Sequence, residues 1–297
     1  MELWAGRGVR IFRVDNPHTK AFPFWEWAIA RLHARHPDLI FLSEAFTRPR
    51  VMHRLAKVGF SQSYTYFTWR NTKRELTEYF TELARGEGRE YFRPNVWPNT
   101  PDILPLGLQH GGRPAFMARV TLAATLAPSY GIYGPAFELL EHLPLREGGE
   151  EYLHSEKYEI RAWDRDRADS LADYIGVLNR ARREHPALQR FDAPVFLAVD
   201  NDQLLAYCRS TADGSDVIVC VVNLDPQYTQ SGWVEMDLAA LGLEPDQPYQ
   251  MHDLLSDAHW LWHGSRNFVS LDPHASPAHV MHLRAQRTRE NDFDYFL

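Results

Sequence analysis

The sequence predicts an α/β protein in two parts. Residues 1–190 read as a series of βα units, residues 191–285 as an antiparallel β-sandwich, and 286–297 as a polar tail. Three observations predict this. Strand and helix patterns alternate five times over roughly the first 185 residues, which is the rhythm of a parallel sheet with helical crossovers. After Pro186 the pattern changes to short strands separated by turns such as Asp213-Gly214, with no strong helix. The chain is 297 residues long, 44% hydrophobic and 24% charged. That is an ordinary globular composition and enough length for one domain of about 200 residues plus one of about 100.

The elements follow in order. Gly8–Lys20 carries a strand built on Val9, Ile11, Phe12 and Val14, and Pro17 stops it. Phe22–His36 is helical, with Phe24, Trp25, Ala28, Ile29 and Leu32 at helical spacing and Arg31 and Arg35 late, where the helix dipole favours them. Leu39–Phe46 is apolar on both faces, as strands covered by helices are. Arg48–Val58 is a short helix capped by Gly59. Phe60–Phe67 reads as an aromatic strand. Thr72–Arg85 is an amphipathic helix with a capping box, Thr72 and Glu75. Glu90–Asn95 and Ser129–Gly134 read as strands, and Ala115–Leu126 and Leu171–Glu184 as helices. Between them, Glu138–Asp164 is a long charged stretch with little periodicity, whose length favours a functional loop. Eight short strands follow from Phe191 to Leu283.

The net charge of −7 and pI near 6.0 argue against nucleic-acid binding through phosphate neutralisation. No apolar run approaches the ~18 residues of a membrane span, and the N-terminus lacks the charged-then-apolar pattern of a signal peptide. A cytoplasmic protein is the expectation. Cys208 and Cys220 have neither metal-ligand spacing nor a disulfide framework.

Three acids stand out: Asp15, Glu44 and Asp102. Each lies at or just beyond the C-terminal end of a strand in the βα series, the face on which closed βα barrels carry their active sites. Arg13 lies two residues before Asp15 and so on the same strand face. It fits either a structural ion pair or a group that holds a nucleophilic Asp15 ionised. Glu44, flanked by Phe41, Leu42, Ala45 and Phe46, has the more apolar surroundings and is the better general acid. Two carboxylates so divided suit retaining glycosyl chemistry, with carboxyl groups roughly 5–5.5 Å apart.

Arg-Val-Asp (13–15), Ser-Glu-Ala-Phe (43–46) and Asn-Thr-Pro-Asp (99–102) resemble the three catalytic motifs of the alpha-amylase superfamily. The fuller strings Phe-Arg-Val-Asp-Asn-Pro-His-Thr-Lys and Glu-Ala-Phe-Thr-Arg-Pro resemble one branch, the alpha-1,4-glucan:maltose-1-phosphate maltosyltransferases. An ordinary amylase carries Asn-His-Asp at the third motif and a Lys-His pair soon after its nucleophile; here Thr100-Pro101 and His18-Thr19 stand there. The resemblance implies the C-terminal portion of a (β/α)8 TIM barrel, about strands 4–8, followed by the β-sandwich, with the chain beginning just before the fourth strand. It implies Asp15 as nucleophile, Glu44 as acid/base, Asp102 as transition-state stabiliser and Arg13 as the group orienting Asp15. It also implies Asn16 as a contact to the donor phosphate, and Lys157 and Tyr158 as donor-sugar contacts. Maltose 1-phosphate and an alpha-1,4-glucan are the implied substrates, with no cofactor, no metal and room for a homodimer. An amylase-type hydrolase, a trehalose synthase-like enzyme and an inactive remnant remain as alternatives.

Other motifs carry less. His18, beside the proposed nucleophile, is a candidate substrate contact. His259 and His263 have the spacing of a helical metal pair but lie in a β-rich stretch, so a structural role is favoured. Gly111-Gly112 lacks the Lys and Ser/Thr of a phosphate loop. Arg161–Arg167 reads as a solvated turn, and His142 and His154 receive no role.

Overall fold

The computed structural model describes residues 1–191 and 194–284; the predicted tail, 286–297, lies outside the described residues. The first part runs α1 (Glu2–Gly6), β1 (Ile11–Asp15), α2 (Phe22–His33), β2 (Ile40–Glu44), α3 (Pro49–Lys57), β3 (Gln62–Tyr64), α4 (Lys73–Arg85) and β4 (Pro94–Asn95). It continues through α5 (Leu106–His110), α6 (Gly112–Leu126), α7 (Gly134–Glu138) and α8 (Ala172–Glu184). The four strands form one parallel sheet in the order β1-β2-β3-β4. Among the described residues β1 has no strand on its outer side, and Ile11 there is 56% exposed.

Several elements differ from expectation. The aromatic strand over 60–67 shortens to Gln62–Tyr64 and then winds into a 3₁₀ turn, Tyr66–Trp69. The strand over 90–95 shrinks to Pro94–Asn95, because Glu87–Glu90 winds into a 3₁₀ turn first. Ser129–Gly134 is no strand. A single parallel bridge, Val96 to Tyr130, is all it makes, and Gly134 already opens α7. The segment closes on Trp97 instead: a Cβ at Gly131 would lie 2.3 Å from the indole. The rhythm of five thus becomes four strands and a bridge. Helix α6 begins earlier than Ala115, since Pro114 falls in its first turn, where no backbone N–H is needed. The capping box at Thr72 is present, with Glu75 N–H donating to Thr72 Oγ1 at 3.2 Å and Thr72 N–H to Glu75 Oε2 at 3.0 Å.

The second part contains β5 (Val195–Val199), β6 (Leu204–Ser210), β7 (Val217–Asn223), β8 (Gln230–Glu235), β9 (Tyr249–Asp253), β10 (His259–Trp262), β11 (Arg266–Leu271) and β12 (Ala278–Arg284). They form one antiparallel sheet in the order β10-β9-β12-β7-β6-β5-β8-β11. The sheet turns its corner at β5, whose Val195–Leu197 pair with β6 and whose Ala198 and Val199 pair with β8. One face encloses Ala206, Val219, Val234, Met251 and Met281. The opposite face presents Tyr207, Ile218, Cys220, Val222 and Val280 to α6 and α8. Burial on both faces explains why β6 and β7 read as continuous apolar runs.

Cys208 and Cys220 lie on neighbouring strands but point to opposite faces, in different cores. Both are free, and burial pushes each thiol up to about 12.

Helix α6 is the shared element. Phe116–Leu126 is buried throughout, flanked by α8 and the sheet. Its two inward hydroxyls are satisfied: Thr121 Oγ1 meets Tyr174 OH at 2.7 Å and Thr125 Oγ1 meets Tyr207 OH at 2.5 Å. No helix of the described residues is long and apolar enough to cross a membrane. Because one core joins helices and sheet, Ile218→Ala on β7 should cost about 2–5 kcal/mol and move both parts together. Two separated calorimetric transitions in that variant would contradict a shared core.

Candidate active site

Asp15 and Glu44 end adjacent parallel strands as register partners. Such strands lie about 4.8 Å apart, so the two carboxylates leave the backbone side by side. Beyond Asp15 the chain leaves the sheet. Asn16 adopts a left-handed conformation, φ 42° and ψ 52°, and Pro17 opens a 3₁₀ turn. Asn16 N–H donates to Glu44 O at 3.0 Å and to Glu44 Oε2 at 3.3 Å, while its side-chain amide donates to Asp15 Oδ1 at 3.0 Å. Asn16 therefore braces both acids.

Arg13 lies between three carboxylates. Its guanidinium nitrogens are 3.7 Å from Asp15 Oδ1, 3.5 Å from Glu44 Oε1 and 3.8 Å from Asp102 Oδ2. These are ion-pair separations longer than hydrogen bonds. The sequence suggested a private pair with Asp15; the fold makes Arg13 the common cation of all three acids.

Asp102 arrives on the loop after β4. Its N–H donates to Thr100 Oγ1 at 3.2 Å, and Thr100 and Ile103 bond to each other across the turn. The base of that loop is fixed by buried Asn99, whose amide donates to Tyr152 OH at 2.7 Å and whose carbonyl accepts Tyr133 N–H at 2.9 Å. The long charged loop reaches the same place: Lys157 Nζ donates to Asp102 Oδ1 at 3.0 Å. Asp102 correspondingly pushes the Lys157 ammonium up. Tyr158 stands exposed beside it, with the ammonium 5.5 Å from its ring. His18 lies in the turn Pro17–Thr19, its Nδ1 buried without a hydrogen-bond partner, and among the described residues no hydrogen bond or ion pair joins it to the carboxylates.

The two strand-end acids have opposite environments. The Asp15 side chain is 66% exposed and that of Glu44 is 9% exposed. Burial pushes the Glu44 carboxyl up, and neighbouring Asp15 adds to the effect. Arg13 and the Asn16 N–H pull the other way and are outweighed. Burial thus favours the protonated form of Glu44, while Asp15 stands in solvent.

Tyr64 escaped the sequence reading. It ends β3, stacks on Trp97 at 4.8 Å and lies beside Arg13, and burial raises its hydroxyl. The strand-end position that marked the acids marks Tyr64 equally. Trp69 also faces the region, edge-on to Phe46 at 5.0 Å and donating to Glu150 Oε1 at 2.9 Å.

The architecture is shared with α-amylases of known structure. An α-amylase from Geobacillus thermoleovorans, solved with acarbose, superposes with a TM-score of 0.71 over 96% of this chain and 62% of that one, at 16% identity. A maltogenic α-amylase from Thermotoga neapolitana superposes with a TM-score of 0.68 over 96% and 64%, at 15% identity. The chain therefore has the α-amylase fold. Residues 196–283 match the family described as GLGE, C-terminal. The alpha-1,4-glucan:maltose-1-phosphate maltosyltransferase of Chlorobaculum tepidum is 51% identical over 95% of this chain and 43% of its own length. Maltosyltransferase 2 of Streptomyces coelicolor is 53% identical over 95% and 42%. Over nearly all of its length the chain is similar to alpha-1,4-glucan:maltose-1-phosphate maltosyltransferases, and it spans about two fifths of the length of these curated relatives.

The raised Glu44 has a consequence for stability. A folded state that raises a carboxyl group binds its proton more tightly than the unfolded chain does. The associated stability is present at low pH and is lost as pH rises through the folded-state value. Glu44→Gln should therefore raise Tm relative to wild type at pH 8 more than at pH 4. A difference in Tm independent of pH would contradict the burial of an ionisable Glu44.

Proposed function

We propose that this chain carries the chemistry of a retaining maltosyltransferase, taking maltosyl units from alpha-maltose 1-phosphate and adding them to the non-reducing end of alpha-1,4-glucans. The observation that carries the reading is the pairing of exposed Asp15 with buried Glu44 at one sheet end, under a single shared guanidinium. The names of the relatives supply the substrates. Strand spacing supports retention, since neighbouring strand ends bring carboxyl groups near the ~5–5.5 Å of retaining enzymes rather than the wider gap of inverting ones.

In the first step Asp15 attacks the anomeric carbon as the bond to the phosphate oxygen breaks. Glu44 gives its proton to the departing phosphate, and a β-maltosyl ester of Asp15 results. In the second step ionised Glu44 takes the proton of the acceptor's 4-hydroxyl. That oxygen attacks the same carbon, Asp15 leaves, and the α configuration is restored. Arg13 balances the three acids while charge moves among them, and Asp102, tied to Lys157, is available to sugar hydroxyls and to the oxocarbenium-like transition state. Asn16 and Lys157 offer N–H donors for phosphate and sugar; Tyr158 and His18 would line the donor. The four-stranded sheet is read as part of a closed TIM barrel, acting in the cytoplasm.

Incubation with alpha-maltose 1-phosphate and glucan tests this. Phosphate release with lengthened glucan and no free maltose is expected. Free maltose in proportion to phosphate would replace the reading with hydrolysis, and an inert, folded chain would favour a non-catalytic remnant. Asp15→Ala should lower transfer by at least about a thousandfold while leaving donor binding within a few fold. Near-normal turnover would remove Asp15 from its role. Glu44→Ala should slow transfer to the acceptor more than phosphate departure, because phosphate leaves well without a proton. Equal losses in single-turnover measurements of the two half-reactions would count against Glu44 as acid/base.

A further inference from the structure

The carboxylate site leaves a row of histidines on the C-terminal sheet unused. His282 of β12 is the register partner of His252 of β9, and His252 is the partner of His259 of β10. At one end of the row His185, the residue that terminates α8, packs its ring 4.6 Å from that of His282. Both imidazoles address one oxygen, Asp216 Oδ1, with His185 Nδ1 at 2.8 Å and His282 Nε2 at 3.6 Å.

We infer that His185, Asp216 and His282 form a binding site for a divalent transition-metal ion of the zinc type. The donor set, two imidazole nitrogens and one carboxylate oxygen, is one that zinc favours. The three donor atoms lie within 4.8 Å of one another. Ligands about 2.0–2.2 Å from a tetrahedral zinc are roughly 3.3 Å apart, and the observed 2.8 and 3.6 Å separations bracket that spacing.

The carboxylate is positioned independently of the histidines. Ala187 N–H donates to Asp216 Oδ2 at 2.9 Å, and Asp216 N–H donates to Thr211 Oγ1 at 3.0 Å. Such outer support orients ligating groups. His282 Nε2 is aimed at an oxygen too distant for a hydrogen bond; an ion between them would bind both. On binding, the metal takes the place of the proton that His185 Nδ1 shares with Asp216. The side chains are 13%, 11% and 23% exposed, sheltered yet reachable from solvent, which can supply the fourth ligand.

The other end of the row shows what a closed network looks like. His252 and His259 stack 4.2 Å apart, but His252 Nε2 is 2.6 Å from Asp257 and its Nδ1 faces the Arg284 guanidinium at 3.4 Å. Both nitrogens are engaged, and a cation already stands there. A metal at Asp216 would instead fasten the end of α8 to β7 and β12, joining the two parts of the chain where their shared core reaches the surface.

Titration of metal-free, untagged chain with Zn²⁺ alone tests the site. One saturable equivalent and a higher Tm are expected, with Co²⁺ in its place giving the absorption of a tetrahedral ion. His282→Gln and His185→Gln should each weaken Zn²⁺ binding at least about tenfold, while His252→Gln leaves it unchanged. Metal-free melting of each variant reports folding, and if one variant fails to fold the other carries the comparison. No saturable equivalent in wild type, wild-type affinity in a folded His282 or His185 variant, or loss of binding in His252→Gln would each overturn the proposal.

Discussion

Three carboxylates within 4 Å of one guanidinium is the constraint around which the first half of the chain is arranged. Brought together without a cation, three acids would repel one another, and the most buried would simply be neutralised. Arg13 makes the cluster tolerable, and Lys157 adds a second positive charge at Asp102. The same-face spacing of Arg13 and Asp15, the register of β1 on β2 and the braced Asp102 loop are all needed for that geometry. A one-residue slip of β1 against β2 would turn Arg13 and Asp15 to the opposite face.

Exposure then divides the acids. Glu44 lies between Phe41 and Ala45, both fully buried, and takes its proton affinity from that desolvation despite the nearby Arg13. Asp15, one strand closer to the sheet edge, remains in solvent. The two carboxyl groups are thus distinguished by how far each strand end is buried, without any difference in the chemistry of the group.

The two parts of the chain are joined by packing. Helix α6 is buried nearly all round because it meets neighbouring helices on one side and the β6–β7–β12 face on the other. Its threonine hydroxyls find tyrosine hydroxyls from both α8 and β6, so the junction satisfies its polar groups as well as its apolar ones. The histidine row, with Asp216 at its α8 end, borders this same junction.

The sequence by itself determined the βα-then-β order, the capping box at Thr72, and the candidacy of Arg13, Asp15, Glu44 and Asp102. These follow from local rules of periodicity, capping and strand-end position, which act over a few residues. Element lengths were less legible: Phe60–Phe67 and Ser129–Gly134 have strand composition, but a 3₁₀ turn and the closure of Gly131 on Trp97 override it. Only tertiary structure decided that Arg13 serves three acids, that Tyr64 joins them, that Cys208 and Cys220 face apart, and that His185, Asp216 and His282 meet. Each of these depends on which strands lie side by side and on how deeply each end is buried. Register and burial are properties of the whole packed sheet, and no stretch of sequence carries them alone.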